Sequence, residues 1–115
     1  MWIMIAGPYT SGAADAAGRA ANLRILNQAA LMLFERGHIP IIGVNMALPM
    51  IECAGPGRFD AIMMPLSLEI ADRCDACLRI GEPSRGADDE ASRFRARGLP
   101  VYGKLEDVPK AAAGP

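Results

Sequence analysis

Between Gly81 and Glu90 the chain reads Gly-Glu-Pro-Ser-Arg-Gly-Ala-Asp-Asp-Glu, a spacing that could bind an anion and hold a carboxylate beside it. A short apolar run, Ala76 to Ile80, precedes this stretch, and a polar helix-forming run, Ala87 to Arg97, follows it. The pattern is strand, glycine-bearing turn, then helix. Free backbone N–H groups at such a helix start favour an anion above the turn. Ser84, Arg85, Gly86 and Ala87 would form that cradle, and Arg85 could clamp a phosphate from the turn. Glu90 stands one helical turn after Gly86, so its carboxylate can face the same crevice. The same residues also have a purely architectural use. Ser84 suits an N-cap and Glu90 suits a first-turn acid favoured by the helix dipole, so residue types alone leave both roles open.

Other reactive side chains carry less. Cys74-x-x-Cys77 has redox or metal spacing, but no second pair exists and His38 is the lone histidine, so a zinc site would lack ligands. No metal is expected. His38 follows Gly37 at a helix end, away from the crevice, and reads as structural. Asn22 could order the first loop by side-chain hydrogen bonds. Met46, Met50, Met63 and Met64 could form an adaptable lid over a flat ligand.

The elements that must position these groups alternate. Trp2 to Ala6 is a continuous apolar run too short for a helix, which fits a strand covered on both faces in a parallel sheet. Gly7-Pro8-Tyr9-Thr10-Ser11-Gly12 breaks it as a loop. Asp15 to Arg36 is the longest periodic segment, ending at Gly37, with Leu23, Leu26, Ala30 and Leu33 toward the sheet. Ile25, Ala29 and Met32 form a second stripe, expected to meet another subunit. His38 to Val44 is the second strand, with Pro40 implying an edge or a strand start. Asn45 to Arg58 is expected as loop with at most one short helical turn. Phe59, Ile62, Leu66 and Ile70 then mark a helix running to about Arg73, which must start near Pro65 or kink there. The third strand and third helix follow, then a short strand from Leu99 to Tyr102. The tail from Lys104 holds at most one helical turn before Ala-Ala-Ala-Gly-Pro frays.

Composition bounds the rest. The 115 residues suit one domain, spanning 1–115 with 104–115 as a tail. A net charge of −1 offers no basic field to a nucleic-acid backbone, and no apolar run approaches the roughly 18 residues of a membrane span. Three cysteines, an odd number, without a secretory layout imply reduced thiols and a cytoplasmic protein. The expected fold is therefore a three-layer α/β sandwich of the Rossmann or flavodoxin-like kind. Its four- to five-stranded, mainly parallel sheet is flanked by three main helices. Ligands of such sheets sit beyond the strands' carboxyl ends, where strand order reverses. Placing the loop after strand one beside the turn after strand three brings Gly7, Pro8, Tyr9, Thr10, Ser84, the amides near Gly86 and Glu90 around one cavity.

Five segments stand in an order that resembles the nucleoside 2-deoxyribosyltransferase superfamily, most closely its DUF4406-type branch. They are Ile5-Ala6-Gly7-Pro8-Tyr9-Thr10, Asn22, Arg36-Gly37-His38-Ile39-Pro40, Arg73-Cys74-Asp75-Ala76 and Gly86-Ala87-x-x-Glu90. Within that superfamily, Pro83-Ser84-x-Gly86-x-x-x-Glu90 is similar to the nucleoside 5′-monophosphate N-glycosidases. The resemblance implies that Ser84 helps hold a 5′-phosphate and that Glu90 attacks or stabilises the anomeric carbon, with Tyr9 nearby. No cofactor is implied. The partner is a small nucleoside or nucleotide, and relatives are usually homodimers or higher homo-oligomers.

One position departs from that pattern. The family usually carries an acid eight residues before the match to Asp75, and Ser67 stands there. A serine cannot protonate a departing base. Glu69 is close in sequence but faces elsewhere on a helix, and Asp60 could reach only if a kink at Pro65 turned it inward. The resemblance therefore implies a glycosidase or deoxyribosyltransferase working without that acid, or a non-catalytic nucleotide-binding or sensing module.

Overall fold

The computed structural model describes residues 1–111, so the final Ala-Ala-Gly-Pro of the expected fraying tail lies outside the described residues. Trp2–Ala6 forms β1, and its last four residues are at most 1% exposed. Its side chains alternate between two layers. Ile3 and Ile5 pack with Leu26, Ala29 and Leu33 of α1 (Ala16–Glu35). Met4 and Ala6 pack with Ala87, Ala91 and Phe94 of α4 (Arg85–Ala96). A strand buried on both faces needs helices on both sides, which is why this apolar run has no polar alternation.

β1 pairs in parallel with β2 (Ile39–Ile41) on one side and β3 (Ala76–Arg79) on the other. β4 (Val101–Tyr102) pairs with β3, so the sheet order is β2-β1-β3-β4, all parallel. The expected four-stranded parallel sheet is present, and its order reverses between β1 and β3. Pro40 lies in β2 at the sheet edge, where its missing donor faces no further strand.

The long first helix is capped as its sequence suggests. The Asp15 carboxylate accepts from the Gly18 amide at 2.9 Å, and Gly37 takes φ +90° just past the end. Its second stripe is revised, because Ala29 belongs to the core while Ile25 and Met32 remain about half exposed. His38 is buried and pins the chain ends together. Its Nδ1 accepts from the Met1 ammonium at 3.0 Å and its Nε2 donates to the Pro109 carbonyl at 2.6 Å.

The middle of the chain corrects the sequence reading most. Gly43–Ala54, expected as the end of a strand and then loop, is a helix, α2, with Pro49 inside it. Val44, Ala47, Leu48 and Ile51 form a helical stripe that packs on Met63, Ile62 and Leu66. Burying that stripe offsets the donor lost at exposed Pro49, so packing overrides the local breakers. After a 3₁₀ turn, Pro56–Arg58, α3 runs from Phe59 to Ala71. It starts six residues before Pro65, not near it, and its fully buried face is Met63, Ser67 and Ala71. Four helices rather than three therefore flank the sheet. The tail carries one 3₁₀ turn at Leu105–Asp107. Among the described residues, no helix is long and apolar enough to cross a membrane.

Candidate active site

The loops that leave β1 and β3 are locked together at the point where strand order reverses. A Cβ on Gly7 would lie 2.6 Å from Leu26 Cδ2 and 3.0 Å from the Ile80 carbonyl, so only glycine permits this approach. Gly81, at φ +82°, lets the second loop press on Pro8. Asn22 donates to the Tyr9 carbonyl at 2.8 Å and the Ser11 carbonyl at 3.3 Å, which orders the first loop from α1. Ser11 Oγ meets Ser84 Oγ at 3.4 Å and ties loop to loop.

Between these loops, α2, α3 and α4 lies a cavity of about 270 Å³. Gly7, Tyr9, Thr10, Ser67, Ser84, Arg85, Gly86, Ala87 and Glu90 all line it. Pro8 does not. It lines a neighbouring hollow of about 380 Å³ with Asn22, Gly81 and Pro83. The methionines divide. Met63 and Met64 line the cavity, whereas Met46 and Met50 stand on the outer side of α2, about half exposed, and form no lid.

One rim of the cavity is the start of α4. Ser84 caps this helix, its hydroxyl accepting from the Ala87 amide at a long 3.4 Å. The Arg85 and Gly86 amides of the first turn have no acceptor within the helix, so they are free for an anion above the turn. Met64 Sδ lies 3.1 Å from where a Cβ of Gly86 would be, so α3 crowds this turn and glycine keeps it open.

The floor is Glu90 and Ser67, both packed close to Gly43. A Cβ on Gly43 would stand 2.1 Å from Ser67 Oγ and 3.4 Å from Glu90 Oε2, so both side chains converge on the bare Cα of the first residue of α2. Glu90 is 8% exposed, and no group among the described residues hydrogen-bonds its carboxylate, whose oxygens keep contact with the open cavity. Burial pushes its carboxyl up from 4.5 to about 7, with Arg79 pulling it down and Asp89 adding to the rise. Desolvation thus outweighs the helix N-terminus and the nearby guanidinium. Ser67 is 1% exposed.

One residue of this site, Arg79, had no part in the reading of the sequence. Arg79, at the end of β3, donates to Asp88 Oδ1 at 3.0 Å, to the Glu82 carbonyl at 2.9 Å and to the Ile80 carbonyl. It fixes the turn and the first residues of α4 as one unit. Its only sequence signal is a charge closing an apolar run. Asp60, expected to reach inward only through a kink at Pro65, lines the cavity from the first turn of an α3 that continues through Pro65. Glu69 is exposed and paired with Arg73 at 2.9 Å. Cys74 and Cys77 sit in the core, where burial pushes their thiols up to about 11 and about 12. Among the described residues, no group of three or more His, Cys, Asp or Glu could hold a metal.

No known family pattern matches this chain, and no curated protein does. Among solved structures it is similar to the 2-deoxyribosyltransferase of the psychrotolerant bacterium Bacillus psychrosaccharolyticus, with a TM-score of 0.57 and 19% identity. The likeness covers 90% of this chain and 75% of that one. At that identity it establishes a shared fold.

Proposed function

We propose that this chain cleaves the N-glycosidic bond of a nucleoside or (deoxy)nucleoside 5′-monophosphate, with Glu90 as nucleophile. The observation that carries this reading is a largely buried carboxyl at the cavity floor whose oxygens face the cavity rather than a protein partner among the described residues. Such an arrangement costs stability, and perturbed carboxyls in clefts concentrate where chemistry is done. The fold shared with a 2-deoxyribosyltransferase supports the same reaction class. The phosphate would take the first-turn amides of α4 with Ser84, Arg85 and Thr10, leaving C1′ over Glu90.

In the reaction, a Glu90 oxygen bonds to C1′ as the C1′–N bond breaks, and the bonding electrons leave with the base nitrogen. The base then takes a proton from solvent. Water releases the sugar phosphate and regenerates the carboxylate, or a second base accepts the sugar in a transfer. Only ionised Glu90 is a nucleophile, so the deprotonated fraction above about pH 7 is the active one. Tyr9, on the facing loop, is placed to orient the sugar. We further propose a cytoplasmic homo-oligomer, most simply a dimer using the half-exposed Ile25, Met32 and Phe34 of α1.

A second reading is favoured by Ser67, which occupies the position of the family's usual acid and cannot donate a proton. Departure would then lack assistance worth about 10²–10⁴-fold, and the chain would bind nucleotides without turning them over. Incubating wild type and Glu90→Gln with a panel of nucleosides and 5′-monophosphates, then assaying free base, separates the two. Base release lost in Glu90→Gln supports the enzyme. Binding with no release by wild type supports the binding module.

A further inference from the structure

The cavity has two chemically different sides. One carries the α4 amides, Thr10, Ser11, Ser84 and Arg85; the other is the apolar wall of Val44, Phe59 and Met63, with a single carboxylate, Asp60. Asp60 precedes Ser67 by seven residues on α3, which places it about 10 Å along the helix from the floor where Ser67 meets Glu90. That separation is too long for Asp60 to protonate the glycosidic nitrogen of a sugar seated on Glu90. It matches the remote edge of the base instead. Asp60 thus enters the cavity two helical turns from that floor, at the end where the remote edge of a base on a sugar over Glu90 would lie. Neither Asp60 nor Arg85 forms an ion pair among the described residues, although both line the same opening. Unpaired opposite charges suit a ligand with an anionic end and a donor-bearing end.

Resting on the function proposed above, we infer that Asp60 is the specificity-determining residue. It accepts hydrogen bonds from an amino group on the edge of the base remote from the sugar, and so selects amino-bearing bases over their oxo counterparts. A carboxylate only accepts, so an oxo group facing it meets repulsion with no compensating bond. The flat apolar wall of Val44, Phe59 and Met63 holds the ring without reading it.

The test uses three pairs of 5′-monophosphates that differ by amino against oxo: dCMP and dUMP, dAMP and dIMP, dGMP and dXMP. Dissociation constants are measured by calorimetry on Glu90→Gln protein, so that ligand is not consumed, and again after adding Asp60→Asn. The expected result is an amino preference of on the order of tenfold or more in at least one pair. Asp60→Asn, whose amide can donate to an oxo group, should collapse that ratio to within about threefold with the fold intact by circular dichroism. A ratio unchanged by Asp60→Asn leaves Asp60 as a helix-start acid and overturns the inference. So does binding without amino preference in any pair, and in both cases the function proposed above still stands. A folded protein that binds none of the six overturns the inference, and one that binds none of the matching nucleosides and ribonucleotides either overturns the function proposed above as well.

Discussion

Glu90→Gln should make the protein more stable at alkaline pH while removing its activity. Glu90 is 8% exposed, and burial raises its folded-state pKa from 4.5 to about 7. Folding therefore favours the protonated form. Below pH 4.5 the carboxyl is neutral in both states and costs nothing. Between pH 4.5 and 7 the unfolded chain ionises first, so native stability falls by about 1.4 kcal/mol per pH unit. Above pH 7 the loss is complete, at about 3 kcal/mol. Glutamine keeps the shape of the protonated acid and does not titrate. The variant should match wild type at pH 4 and exceed it by about 3 kcal/mol at pH 8, a rise of about 10 °C in melting temperature for a domain of this size. Calorimetric melts of both proteins from pH 4 to 8.5 read the difference directly. Parallel curves at all pH values, or a variant less stable at pH 8, would refute the claim that Glu90 is held against its hydration preference.

Ser84→Ala removes the α4 cap and the proposed phosphate contact, so it should cost about 1 kcal/mol of stability and selectively weaken 5′-monophosphate over nucleoside; equal wild-type affinity for the two ligands would exclude the phosphate role. Gly43→Ala should destabilise by about 1–3 kcal/mol despite alanine's better helix propensity, because the new methyl would overlap Ser67. Adding Ser67→Gly should restore most of that stability in urea unfolding. Arg79→Met should move the pH profile of kcat/KM, expected to rise through about 7, to higher pH, because the cation that holds Glu90 down is gone. An unmoved profile would make Arg79 a loop brace alone.

The sheet and the turn into α4 were legible because their signals are local. Ile3 to Ala6 reads as a doubly covered strand from four apolar residues, and Ser84 with Gly86 reads as a helix start from residue type. α2 was not legible, since Gly43, Pro49 and Gly55 are breakers by local rules. Only the contact of Val44, Ala47 and Ile51 with α3 shows what outweighs them. Asp60 was undervalued for a related reason: its place depends on α3 beginning before Pro65, which packing against α2 decides. Gly43 itself carries no sequence mark of its closeness to Ser67 and Glu90. Arg79 looks like the end of a strand until its three acceptors are in place around it.

The central claim is that Glu90 is the nucleophile, and trapping the covalent intermediate tests it most directly. The protein is mixed with the 5′-monophosphate that gives most free base, quenched in acid within the first turnover and digested for mass spectrometry. The peptide containing Glu90 should gain the mass of the sugar phosphate less one water, together with a matching burst of free base, and neither should appear in Glu90→Gln. Base released at an undiminished rate by Glu90→Gln, with the Glu90 peptide of wild type unmodified, would contradict it.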